Sequence, residues 1–103
     1  MKTKDGVEYV LGMALYSLAE DHEVREFTNT ILDAEGAVTG DSITAPSIIR
    51  QRRHIGWLSM TYANRANAVI DLIHAIDDEI DELQKSRHEL AKQLGTVQGS
   101  TAT

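Results

Sequence analysis

Residues 62–94 read YANRANAVIDLIHAIDDEIDELQKSRHELAKQL, and this stretch decides the fold expected of the chain. Along it Tyr62, Ala66, Val69, Ile73, Ile76, Ile80, Leu83, Arg87, Leu90 and Leu94 follow one another at unbroken spacings of three and four. Such a repeat puts one stripe along a helix and has the period of a coiled-coil seam. It specifies association and no chemistry. Counted from Trp57 to Leu94, the helix would be about 57 Å long at roughly 1.5 Å per residue.

The seam has two zones. Around Val69 to Ile73 the extra apolar residues Ile70 and Leu72 widen the stripe, as where further helices pack on it. From Ile76 onward it narrows to two positions per heptad. With Ile73, Ile80, Arg87 and Leu94 at a, the d positions are Val69, Ile76, Leu83 and Leu90. Isoleucine at both positions near 73 to 76 favours trimers, whereas leucine at d further on favours a parallel dimer. Arg87 either sets register as a polar a residue or packs its stem while the guanidinium reaches solvent. The flanking residues Asp77, Glu79, Gln84, Ser86, Ala91 and Gln93 offer few opposite-charge pairs to a parallel partner, so antiparallel pairing and a different partner protein both stay open.

Working outward from the seam, Val7, Val10, Leu11, Ala14, Leu15 and Leu18 predict a first helix from an N-cap at Asp5 to about Ala19. Lys2 and Lys4 before this apolar run resemble a secretory leader, but Asp5 and Glu8 interrupt it and no cleavage site follows. A second helix is expected from Asp21, with Glu23 and Glu26 in its first turn, Val24, Phe27, Ile31 and Ala34 buried, and Gly36 as its stop. Residues 36–46 read as a loop, with a small hairpin at Gly40-Asp41. Pro46 and Ser47 then open the long helix, 47–94, which either runs unbroken to Leu94 or breaks near Gly56 into a short and a long piece. The expected fold is therefore all-α: one domain, 1–95, in which a short helical hairpin (5–35) packs on one long C-terminal helix that continues as an oligomeric coiled coil. Residues 96–103 read as a flexible tail.

The chain has 103 residues, 42% of them apolar and 25% charged, which is an ordinary soluble composition. It has no cysteine, so disulfides and thiolate metal sites are excluded. A cytoplasmic location and no membrane association are expected. The formal charge of −6 is unevenly spread. Residues 5–41 hold nine acids against Arg25, and residues 71–92 hold seven against Lys85, Arg87 and Lys92. Residues 42–70 hold no acid but carry Arg50, Arg52, Arg53 and Arg65. The middle is cationic in an anionic chain.

That middle supplies the candidate binding residues: Arg50, Arg52, Arg53, His54, Trp57, Tyr62 and Arg65. Guanidinium groups clamp phosphates, and an aromatic ring beside them stacks on a base. The competing reading is that the arginines neutralise the chain's own acids while Trp57 and Tyr62 fill the core. Asp71, His74 and Asp78 share a helix face, but in the register above they point outward, where a metal site in a bundle would need them inward. Glu20, Glu23 and Glu26 superficially resemble the magnesium-holding helices of all-α nucleotide pyrophosphatases, without a second inward acidic pair. No phosphate loop or nucleophile elbow is present. A recognition helix bearing Glu23, Glu26, Asp33 and Glu35 would repel nucleic acid.

The expectation is a non-catalytic, self-associating interaction or adaptor protein, with no cofactor and no metal. It would form a homo-oligomer, dimer or trimer, through Val69, Ile73, Ile76, Ile80, Leu83, Arg87, Leu90 and Leu94, and would bind another protein. In size, acidity and lack of motifs it is similar to small accessory proteins of phages and mobile elements, including inhibitors of host proteins; that is a resemblance of class and not of residues. The alternative is a nucleotide or nucleic-acid binding module built on residues 50–65.

Overall fold

The computed structural model describes residues 1–43 and 52–99. Four strands, β1 (Leu15–Leu18), β2 (Val24–Leu32), β3 (Ala37–Ser42) and β4 (Arg52–Trp57), form one antiparallel sheet in the order β1-β2-β3-β4. A 3₁₀ turn, Leu58–Met60, follows, and then one helix, α1 (Arg65–Gly99). The sheet is curled. Tyr16 of β1 pairs with Tyr62 beyond β4, through Tyr16 N–H to Tyr62 O at 2.8 Å and Tyr62 N–H to Tyr16 O at 2.9 Å. The first and last parts of the sheet are thereby tied to each other.

The all-α expectation is overturned, since residues 5–35 hold no helical hairpin. The apolar residues assigned to the first helix are split between a looped N-terminal segment and β1. Gly12 shows why: it sits at φ 81°, and Met13 N–H bonds back to Val10 O at 3.0 Å, a tight turn where a helix interior was expected. The spacing of Val24, Phe27 and Ile31 fits a helix face and also a strand with one irregularity. The β-branched and aromatic content of Val24, Phe27, Thr28, Thr30 and Ile31 favours the strand, and the register shifts between Thr28 and Ile31 with Asn29 at φ 49°.

Asp33-Ala34-Glu35-Gly36, read as a helix end, is the β2–β3 turn. The Asp33 carboxylate accepts the Glu35 and Ala37 N–H groups, both at 2.9 Å, which is an Asx turn that the sequence announces. Gly40, read as a turn tip, lies inside β3 because the sheet needs the space there. A Cβ on it would come within 3.0 Å of Thr30 Cγ2, 3.1 Å of Ile55 Cδ1 and 3.1 Å of the Thr28 carbonyl oxygen.

The long helix begins at Arg65, later than the expected 47, and residues 52–57 are strand. The expected start at Pro46 and Ser47 lies outside the described residues, as do residues 100–103 of the expected tail. Gly95 does not stop α1. Asn64 caps it, its side-chain oxygen accepting the Ala66 N–H at 2.9 Å.

Packing divides the chain into two units, Met1–Leu72 and the helical residues from Ile73 on. In the first, Leu15, Val38 and Leu58 form a buried cluster on which Tyr9, Met13, Leu32 and Ile55 pack. Phe27, Tyr62 and Ala68 are also buried. Buried Thr30 is satisfied by donating to Met13 O at 2.6 Å, and the Tyr9 hydroxyl donates to Thr30 O at 2.7 Å.

Candidate functional site

The residues expected to bind an anion are distributed over β4 and its exit. Arg52 is exposed, and its guanidinium donates to Thr39 Oγ1 at 3.2 Å and to Asn29 O at 2.9 Å. Arg53 and His54 line an open concavity of about 440 Å³ with Glu20, Asp21 and Arg25 across from them. Arg25 donates there to Asp21 Oδ2 at 3.0 Å. Trp57 and Tyr62 line a second concavity of about 330 Å³ with Lys4, Leu18, Ile55 and Met60. Arg65 is exposed on the first turn of α1, and Arg50 lies outside the described residues. The structure thus divides the six described candidates among separate surroundings. Of the two concavities described, Arg53 and His54 line one and Trp57 and Tyr62 the other.

Both concavities are lined by Ser17 and Leu18 of β1 together with Ile55 of β4. They therefore mark where the curled sheet brings its two edge strands near each other. Trp57 is half exposed and Met60 exposed, and Lys4 sets its ammonium 5.6 Å from the centre of the Tyr62 ring.

Beside the second concavity a polar network joins the N-terminal segment to the start of α1. The Asp5 carboxylate accepts the N–H groups of Ala63 and Asn64, each at 3.0 Å, and the Asn67 side-chain amide at 3.2 Å. The Thr3 hydroxyl donates to it at 2.5 Å. Partial burial raises the Asp5 pKa, but the bonds from Ala63, Thr3, Asn67 and Asn64 outweigh it and hold the group at about 2. Lys4 N–H donates to Thr61 O at 2.7 Å, and its ammonium lies 3.6 Å from Asp71 Oδ2. The Tyr62 hydroxyl donates to the same Asp71 oxygen at 2.5 Å. Burial, then that bond, pushes the Tyr62 phenol up. This network reads as structural: every polar partner in it is supplied by the chain. Its one sequence signal, Asp5 as a cap, pointed to a helix directly after it, whereas the groups it receives stand 58 and 59 residues away.

The heptad seam lies on α1. Ile73 is 51% exposed, Ile80 46%, Leu83 62%, Leu90 64% and Leu94 57%, while Val69 and Ile76 are half-buried and Arg87 is exposed. In the first turns of α1 Ala68 is buried and Val69, Asp71 and Leu72 are partly so, whereas Ala66 and Ile70 are open to solvent. The stripe covered within Met1–Leu72 thus takes in the seam residue Val69 as well as residues beside the seam. Leu72 widens the packed stripe and Ile70 does not.

No helix among the described residues is long and apolar enough to cross a membrane, and no group of three metal-ligating side chains occurs among them. No family model matches the chain, and no curated protein or solved structure matches it significantly.

Proposed function

We propose that this is a non-catalytic interaction protein that self-associates through α1, with the curled sheet as the body that each copy carries. One observation carries the reading: the a and d residues Ile73, Ile80, Leu83, Leu90 and Leu94 are each about half exposed or more, at a spacing that has no use in a solitary helix. Burying side chains of this kind contributes about 1.5–3 kcal/mol each when complete. A 35-residue helix with an apolar seam interrupted only at Arg87 is a means of assembly. The anion-binding alternative has less support, since the described candidates line two concavities, Arg53 and His54 in one and Trp57 and Tyr62 in the other.

The test is solution mass by light scattering over a range of concentrations, for wild type and Ile80→Asp. A wild-type dimer or trimer that becomes monomeric in the variant is the expected result, with the near-ultraviolet spectrum of the sheet's aromatic residues unchanged. A wild type that stays monomeric at every concentration overturns the reading.

A further inference from the structure

We infer that the seam of α1 pairs with the same seam of a second copy in antiparallel orientation, with residues i and j facing when their numbers add to 163. This rests on the self-association reading above and specifies its partner and polarity. The seam of Val69, Ile73, Ile76, Ile80, Leu83, Arg87, Leu90 and Leu94 is symmetric about the point between Asp81 and Glu82. Reversing one copy therefore sets every a residue against a d residue of the other: Ile80 on the partner's Leu83, Ile73 on the partner's Leu90. No seam position from 69 to 94 is left without an opposite number.

Charge selects this arrangement over the parallel one. In this register Asp71, Asp78, Lys85 and Lys92 lie at f, away from the seam, so the charges that border it are Arg87 at a, Asp77 at e and Glu79 at g. A parallel in-register dimer sets Arg87 beside the partner's Arg87 within an otherwise apolar seam. Like charges brought together there are costly. In the antiparallel pair Arg87 meets the partner's Ile76, which Asp77 and Glu79 flank, so the guanidinium can pack its stem and reach a carboxylate. The pairing is isologous and closes at two copies.

Because the chain has no cysteine, the polarity can be read from a double variant, Ile73→Cys with Leu90→Cys. The two sites lie about 25 Å apart along one helix at roughly 1.5 Å per residue, far beyond disulfide reach within a chain. After mild oxidation, the expected product is a covalent dimer whose peptide map shows position 73 joined to position 90. Links of 73 to 73 and 90 to 90 overturn the polarity and leave self-association standing. A dimeric wild type whose variant gives no covalent dimer overturns the register, and a monomeric wild type overturns the inference together with the reading beneath it.

Discussion

Met1–Leu72 buries a core of apolar residues beside exposed ones such as Val10 and Leu11, whereas among the described residues from Ile73 on no apolar side chain is buried. In the first unit Leu15, Val38 and Leu58 are 0–2% exposed and held by neighbours from the same chain. In the second, Ile73, Ile80, Leu83, Leu90 and Leu94 are 46–64% exposed. Leucine is one residue type with two fates here. The first unit has its core within the chain. The helix from Ile73 on has a seam but no core among the described residues, and a helix without packing is marginal in water.

The largest expected effect breaks the comparison at its two leucines. Leu58→Ala should cost about 2–5 kcal/mol, as burial-to-cavity changes do. Leu83→Ala should cost within about 0.5 kcal/mol in a solitary chain, and much more in an assembled one. Thermal melts at two concentrations tenfold apart separate these cases. The loss in Leu58→Ala should persist at both concentrations, while the loss in Leu83→Ala should grow with the concentration that favours assembly in wild type. A concentration-independent melt for wild type and for Leu83→Ala would count against the seam.

Gly40→Ala comes next. The added methyl would meet Thr30, Ile55 and the fixed Thr28 carbonyl oxygen at 3.0–3.1 Å, tight contacts of which one is backbone. Overpacking of this kind costs about 1–3 kcal/mol. Urea denaturation should show an earlier midpoint with an unchanged slope, and a variant as stable as wild type would mean that β2 gives way at its irregularity between Thr28 and Ile31.

Asp5 ties the N-terminal segment to the approach of α1, and its low pKa fixes the sign of its acid dependence. With a folded value of about 2 below an unfolded value near 3.8, the tether is fully effective above about pH 4 and is lost as pH falls through about 2. Asp5→Ala should therefore lower stability by about 1–2 kcal/mol at pH 7, in the range of a lost cap and its bonds. At pH 2 the gap between variant and wild type should narrow. Paired urea titrations at the two pH values check it; a gap of equal size at both would show that ionisation is not what the two backbone N–H groups require.

The C-terminal helix was legible because its signal is long: a ten-member stripe leaves little room for another reading. The sheet was not, and its residues show why. Val24, Phe27 and Ile31 satisfy a helical spacing by accident of an irregular strand, where the shift between Thr28 and Ile31 removes the alternation that would have exposed β2. Asp33 to Gly36 carried a turn signal equal to its helix-stop signal, and the β-branched residues on either side should have decided between them. The described candidates for the anion site are spread out for a related reason. On a helix, Arg53 and Trp57 would be one turn apart on a face, whereas on β4 they line different concavities. Nothing local in the sequence joins Asp5 to Ala63 and Asn64, since that contact exists only once the sheet has curled.

The smallest effect is expected at the start of α1, within Met1–Leu72. Asn64→Ala removes the acceptor of the Ala66 N–H and should cost about 1 kcal/mol, whereas Asn64→Asp keeps an acceptor and adds a charge suited to a helix N-terminus. Hydrogen exchange shows where that cost falls. If the helix beyond Ile73 is held by a second copy, Asn64→Ala should quicken exchange in the first turn of α1 and leave Ile80 to Leu90 protected, with a protection that rises with concentration. If instead that stretch depends on propagation from the cap, loss of the cap should loosen it throughout. Protection at Ile80 to Leu90 that falls in Asn64→Ala and ignores concentration would place its stability within the single chain and remove the reason for a seam.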